Sequence, residues 1–263
     1  MNKKLCIGSV ICLLFAVTIV YGQLHWREKI IRATNEIVQQ DYEMIQQEEQ
    51  ISVSPNYEMY AKNLPDVVKE KIKKAVSSKK LVHLVIVGDQ ASSSSQDAWP
   101  IKVTEQIKKT YGNGVWNITL REWKDESTTD LLSNKRFEEL IALKADVILF
   151  QPPLLTDNSR EENKESLANL DRFLKLVTGS LKDSTVIIQP PNPIYNATHY
   201  PKVISELQRY AEQHQYIYLN HWQAWPDPNS EAILPYLQNE HGFPSTIGNE
   251  LWAQYITQYF VGK

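Results

Sequence analysis

Residues 81–100, LVHLVIVGDQASSSSQDAWP, constrain the fold more than any other stretch of the chain. Leu81, Val82, Leu84, Val85, Ile86 and Val87 run into Gly88, with His83 the single interruption. A short β-branched run without polar alternation reads as a strand buried on both faces, the environment of a parallel sheet covered by helices. Gly88-Asp89 then turns the chain, Ser92 to Ser95 form a polar run, and Asp97-Ala98-Trp99-Pro100 opens a helix. Ligands of open α/β sheets bind beyond the carboxyl ends of the strands. The loop from Gly88 to Asp97 is therefore the first candidate for a functional site.

Downstream the pattern alternates. Residues 99–111 read as a helix ended by Gly112, 115–121 as a second strand, 127–144 as a helix and 146–150 (DVILF) as a third strand. Residues 165–181 carry Leu167, Leu170, Leu174, Val177 and Leu181 at helical spacing. A fourth strand over 185–189, a helix over 201–214, a short strand over 216–219 and helices over 230–237 and 246–260 complete the series. Repeated strand–helix alternation predicts an α/β fold with a parallel sheet covered on both faces.

The N-terminus reads differently. Lys3 and Lys4 precede residues 5–24, which carry no charge and are long enough to cross a bilayer. The positive flank orients this segment with the remainder outside the cytoplasm. An anchor of residues 1–24 and a cleaved signal peptide are the two readings; the sequence Ile19-Val20-Tyr21-Gly22 is a poor cleavage site and favours the anchor. Residues 25–64 read as a helical stalk and linker, and Pro65 opens the folded domain of residues 65–263 at a favoured helix-start position. The lysines that follow it (Lys69, Lys71, Lys73, Lys74) read as a solvated face. The expected location is thus a single-pass cell-membrane protein with its C-terminal domain extracytoplasmic and its membrane contact made by the N-terminal helix.

Composition narrows the chemistry. A net charge of −3 gives no basic excess for a nucleic-acid partner. Both cysteines, Cys6 and Cys12, lie in the apolar N-terminal segment, so the domain has no thiol for catalysis, a disulfide or Cys-ligated zinc. No His/Asp/Glu spacing suggests a metal site, and no cofactor motif is visible.

The order of blocks, strand–Gly88-Asp89–loop–Trp99-Pro100, then DVILF into a Pro-rich loop, then Gly248 followed by Trp252-Ala253, resembles the SGNH (GDSL-type) esterase and lipase superfamily over residues 81–260. The likeness is greatest to a Bacillus-type membrane-anchored branch. The resemblance implies a three-layer α/β/α sandwich with a flavodoxin-like parallel sheet. It also implies hydrolysis of esters, often acetyl groups on carbohydrates, or acyl transfer to cell-wall glycans. A cell-wall glycan or acylated carbohydrate is then the expected partner.

Such chemistry needs an activated hydroxyl, a base and preorganised oxyanion donors. The sequence departs from the family pattern at each block. Gln90 stands where the serine belongs, with Ser92 the nearest displaced hydroxyl; no glycine occurs in residues 121–127; Thr156 replaces the asparagine donor, with Asn158 as the alternative and Asp157 matching the aspartate. Counting back from Pro244 and Gly248 sets the family's His-Pro on Phe243-Pro244 and its Asp on Glu240, so the base is absent. A register displaced by two makes His241 the base and puts Gln238 in place of the carboxylate. The candidate catalytic residues are accordingly Ser92, His241 and Asp157. The candidate substrate-binding residues are Asp89, Gln90, Asn158, Asn192 and Trp222, the last two from the proline-rich loop after the fourth strand and the aromatic segment after the fifth. A degenerate site that binds a glycan or protein partner without catalysis is the alternative to an active esterase.

Overall fold

The computed structural model describes residues 53–160, 163–238 and 242–262. The expected membrane anchor and residues 25–52 of the expected stalk and linker lie outside these residues, as does His241. Among the described residues no helix is long and apolar enough to cross a membrane.

Five strands form one wholly parallel sheet: β1 (Val82–Gly88), β2 (Trp116–Glu122), β3 (Val147–Phe150), β4 (Thr185–Ile188) and β5 (Ile217–Tyr218), in the order β2-β1-β3-β4-β5. This is the flavodoxin-like order, with its switch of winding direction between β1 and β3. Side chains of a strand alternate between faces, and the core divides accordingly. Val82, Leu84 and Ile86 of β1 join Val147, Leu149 and Ile187 on one face; Val85 and Val87 join Ile148, Phe150, Val186 and Ile188 on the other. His83, the interruption in β1, is accommodated because its ring nitrogen Nε2 meets Thr119 Oγ1 of β2 at 2.8 Å.

The first face is covered by α2 (Asp66–Ser77), α3 (Trp99–Tyr111) and α9 (Thr246–Val261). Trp99 and Trp252 stack at 4.9 Å, and the Tyr111 hydroxyl donates to the Phe260 carbonyl at 2.7 Å. The second face is covered by α4 (Thr128–Ser133), α5 (Arg136–Ala142), α6 (Leu154–Ser159), α7 (Asn163–Ser180) and α8 (Tyr200–Gln213). The result is a three-layer α/β/α sandwich.

Four local expectations change. Residues 53–64, expected as linker, belong to the packed body. A short helix α1 (Tyr57–Tyr60) sets Tyr60 edge-on to Tyr111, and Ala61 and Leu64 are buried. The expected single helix over 127–144 is two, because Lys135 takes a left-handed conformation (φ 55°) between them. Residues 231–236, which include Pro235, form a 3-10 helix instead of an α-helix. Finally, α6 follows Pro152-Pro153 where only a loop was expected.

Candidate functional site

The carboxyl ends of β1, β3 and β4 meet at the switch point, and buried amides tie them together. Gly88 ends β1 because nothing larger fits: a Cβ there would lie 2.5 Å from Gln151 Oε1 and 2.7 Å from Ser92 Oγ. Asp89 Oδ1 accepts from the Ala91 N–H at 2.8 Å and so caps a one-turn 3-10 helix, Gln90–Ser92. Gln151 Oε1, at the end of β3, accepts from the Asp89 N–H (3.2 Å) and the Ser92 hydroxyl (2.8 Å), while its Nε2 donates to the Pro152 carbonyl (2.7 Å). At the end of β4, Gln189 Oε1 accepts from Trp252 Nε1 at 3.0 Å.

Burial sets the electrostatics. Asp89 is almost wholly buried, its Oδ2 has no partner among the described residues, and its carboxyl is pushed up to about 7, chiefly by desolvation. His221, fully buried, is pushed down to about 3 by the same cause. Its partners fix the neutral tautomer: Nε2 faces the Pro190 carbonyl at 2.8 Å, which can only accept, and Nδ1 accepts from Trp225 Nε1 at 2.9 Å. The ring also stacks on Trp252 at 4.0 Å. His221 is thus a structural histidine with both nitrogens committed.

Above this layer lies an open crevice in two parts, of about 570 and 510 Å³. Gln90, Gln238 and Phe243 line both. Gln90 is held by a reciprocal pair: its Nε2 donates to Asp125 Oδ1 (3.0 Å), and its Oε1 accepts from the Asp125 N–H (2.9 Å). Asp125 itself takes a left-handed φ of 56°, which aspartate tolerates better than most residues.

The expected site residues separate by depth. Gln90 and Asn158 line the crevice. Ser92, expected as a displaced nucleophile, faces inward: it is 5% exposed and its hydroxyl is spent on Gln151. Asp157 is fully buried, and its carboxylate accepts from the Thr128 N–H and hydroxyl, both at 2.8 Å, so it staples α4 to α6. Asp89 is beneath the crevice floor. Asn192 is fully buried, with Nδ2 donating to the Pro193 and Gly242 carbonyls at 2.9 and 2.6 Å, and so braces the 242–244 loop. Trp222 packs beside Tyr200 and donates through Nε1 to the Pro191 carbonyl at 2.7 Å; it steadies the proline-rich loop and does not line the crevice. Phe243 does line it, at the position where the family pattern puts its histidine. Thr156, at the position of the family's asparagine donor, has its hydroxyl covered and unpartnered among the described residues. The roles of Gln151 and Gln189 were missed in the sequence, although Gln-Pro-Pro recurs after the third and fourth strands and marks both. Among the described residues no cluster of His, Cys, Asp and Glu is arranged to hold a metal.

A parallel sandwich of this strand order has a flavodoxin-like architecture, and in fold it is similar to solved structures of SGNH/GDSL-type hydrolases. A protein of the lipolytic G-D-S-L family from Desulfitobacterium hafniense matches with a TM-score of 0.54 at 16% identity, over 68% of this chain and 99% of that one. An acetylxylan esterase from Geobacillus stearothermophilus matches at 0.56 and 15%, over 68% and 94%. A carbohydrate esterase family 3 protein from Talaromyces cellulolyticus matches at 0.56 and 13%, over 69% and 97%. No protein-family model matches the sequence, and no curated protein does.

Proposed function

We propose that this SGNH-fold domain binds a carbohydrate in its strand-end crevice and does not hydrolyse esters by the serine mechanism of its structural neighbours. The observation that carries the reading is Gln90. An amide follows Gly88-Asp89 on the crevice floor, clamped by two hydrogen bonds to Asp125, where acyl transfer requires a free, activated hydroxyl. Ser92, the nearest substitute, is buried against Gln151, and Phe243 offers no base. The carbohydrate class comes from the neighbours, two of which are described as carbohydrate or acetylxylan esterases. Exposed amides and hydroxyls of the crevice suit sugar hydroxyls, which donate and accept at once. The reading includes a membrane-anchored, extracytoplasmic placement, supported by the uncharged segment 5–24 behind Lys3 and Lys4.

The test pairs two measurements. Hydrolysis of an activated acetyl ester and labelling by a fluorophosphonate probe should both be absent, because loss of nucleophile or base costs several orders of magnitude. Acetylated and plain xylo-oligosaccharides should raise the melting temperature of wild-type protein, and Asn158→Ala should weaken that shift. Robust turnover abolished by Ser92→Ala and by His241→Ala would establish an esterase instead.

A further inference from the structure

A second cleft, of about 280 Å³, lies between α1 and α2. Lys62, Lys69 and Lys73 line it together with Tyr57, Ala61 and Ile72, and Glu58 is its one acid. Ala61 and Ile72 are buried at its base, and Lys62 and Lys73 are exposed. The positive charge extends beyond the cleft. Residues 62–80 hold seven lysines against Asp66 and Glu70, in a chain whose net charge is −3. Lys69 pairs with Asp66 at 3.1 Å and Lys73 with Glu70 at 3.4 Å, both at the surface, where such pairs hold weakly and exchange readily for another anion. Lys71 donates to the Asp183 carbonyl. Lys62, Lys74, Lys79 and Lys80 are exposed and make no ion pair among the described residues. Apolar side chains stand in water beside them: Met59 is 56% exposed and Val67 50%. Val67 and Lys74 are two helical turns apart and share a face of α2. None of residues 53–81 lines the strand-end crevice.

We infer that the α1–α2 surface docks on an anionic phospholipid bilayer, with Lys62, Lys69 and Lys73 taking a headgroup phosphate at the cleft and Met59 and Val67 entering the interface beside it. The inference rests on the membrane-anchored placement proposed above and adds which face of the domain turns to the lipid. Unpaired lysines next to exposed apolar side chains match an anionic bilayer in both respects: phosphates take the ammonium groups, and the acyl boundary takes the hydrocarbon. A soluble polyanion would satisfy the lysines and leave Met59 and Val67 in water. Residues 25–52 join the uncharged segment 5–24 to the body, and α1 begins at Tyr57. A surface tethered this closely in sequence needs only a weak intrinsic affinity, because the tether keeps the local lipid concentration high. Docking through this surface leaves the crevice free for its own ligand.

The methionines supply the probe. The chain has three, Met1, Met44 and Met59, so isotope-labelled methionine methyl groups give one NMR signal for each. The full chain is placed in nanodiscs of phosphatidylcholine alone or mixed with phosphatidylglycerol, each doped with a gadolinium-chelating lipid. Met1, beside the uncharged segment, should relax fast in both. Met59 should relax fast only in the anionic discs, and high salt should restore its signal. Each lysine at the lipid surface is worth about 5-fold in docked population. Lys73→Glu combined with Lys74→Glu should therefore reduce that population by about 10-fold or more, whereas Lys202→Glu, an exposed position on α8, should not. Melting curves confirm that the variants fold, and the salt series tests the docking without any substitution. Equal relaxation of Met59 in the two lipids would reduce the effect to tethering and overturn the docking. Fast relaxation of Met1 with none of Met59 would reject the docking and leave the anchor intact; a Met59 shift with inorganic polyphosphate in that case would assign the lysines to a soluble polyanion. Slow relaxation of both methyl groups would reject the anchor and the docking with it.

Discussion

Asp89 and His221 lie in the same buried layer and pull stability in opposite directions with pH. Asp89 holds its proton in the folded state up to about pH 7, whereas the unfolded carboxyl loses it near 3.8. Between those values the native state binds more protons, so this group lowers stability as pH rises. His221 takes no proton until about pH 3 when folded but near 6.5 when unfolded. Between those values the unfolded state binds more protons, so this group lowers stability as pH falls. From about pH 4 to 6.5 the two slopes oppose each other. Replacing Asp89 with Asn removes one of them, and the stability of that variant should climb more steeply over this window than that of wild type, by up to ~1.4 kcal/mol per pH unit. Urea midpoints of both proteins at pH 4.5, 5.5 and 6.5 test this; parallel curves would mean that Asp89 is ionised throughout. Ser92 belongs to the same layer. Ser92→Ala deletes one buried hydrogen bond to Gln151 and should cost about 1 kcal/mol of stability, without altering ligand binding by the crevice above it.

At the scale of elements, helix ends carry signals that the apolar pattern does not. The break between α4 and α5 is set by Lys135 in a left-handed conformation, and nothing in the run from Leu131 to Leu143 announces it. Lys135→Gly should relieve that conformation and raise stability by about 0.5–1 kcal/mol, read from chemical denaturation. A fall of similar size would show that the Lys135–Glu138 pair, or helix propensity, outweighs the backbone. Gly248, in the first turn of α9, is required for a different reason. A Cβ there would collide with the Tyr236 carbonyl oxygen and crowd Trp225. Gly248→Ala should push α9 away from the 3-10 helix of residues 231–236 and lower the melting temperature by several degrees, with a loss of about 2 kcal/mol.

At the scale of the molecule, the packed body begins earlier than the first proline-bounded helix suggests. Ser54 N–H bonds the Tyr111 carbonyl at 3.1 Å, Asn63 Nδ2 bonds the Gln258 carbonyl at 2.9 Å, and Ala61 and Leu64 are 3% and 2% exposed. A chain starting at Ile51 should fold with full stability, whereas one starting at Pro65 should lose about 3 kcal/mol or more, since it gives up a buried Leu and the Tyr60–Tyr111 contact. Equal melting temperatures for the two would return residues 53–64 to the role of linker. The proposed topology has its own measurement: protease added to intact spheroplasts should remove residues 25–263, and full protection of the domain would reject an extracytoplasmic placement.

The sequence alone was enough for the five strands, their alternation with helices and the location of the crevice at the strand ends. Those features follow from burial periodicity, and periodicity is written along the chain: VHLVIVG and DVILF cannot avoid being two-sided strands. The family resemblance likewise singled out Gln90 and Phe243, which both line the crevice, because substitutions at motif positions are read by counting. Direction at the loops was a different matter. Asp89, Ser92, Asp157 and Asn192 were expected around a ligand and are instead bonded inward, to Ala91, Gln151, Thr128 and Gly242. Each partner lies on another segment or is fixed by a local turn. A polar side chain next to a strand end turns toward whichever unmet hydrogen bond lies nearest, and only the assembled sheet brings those groups together.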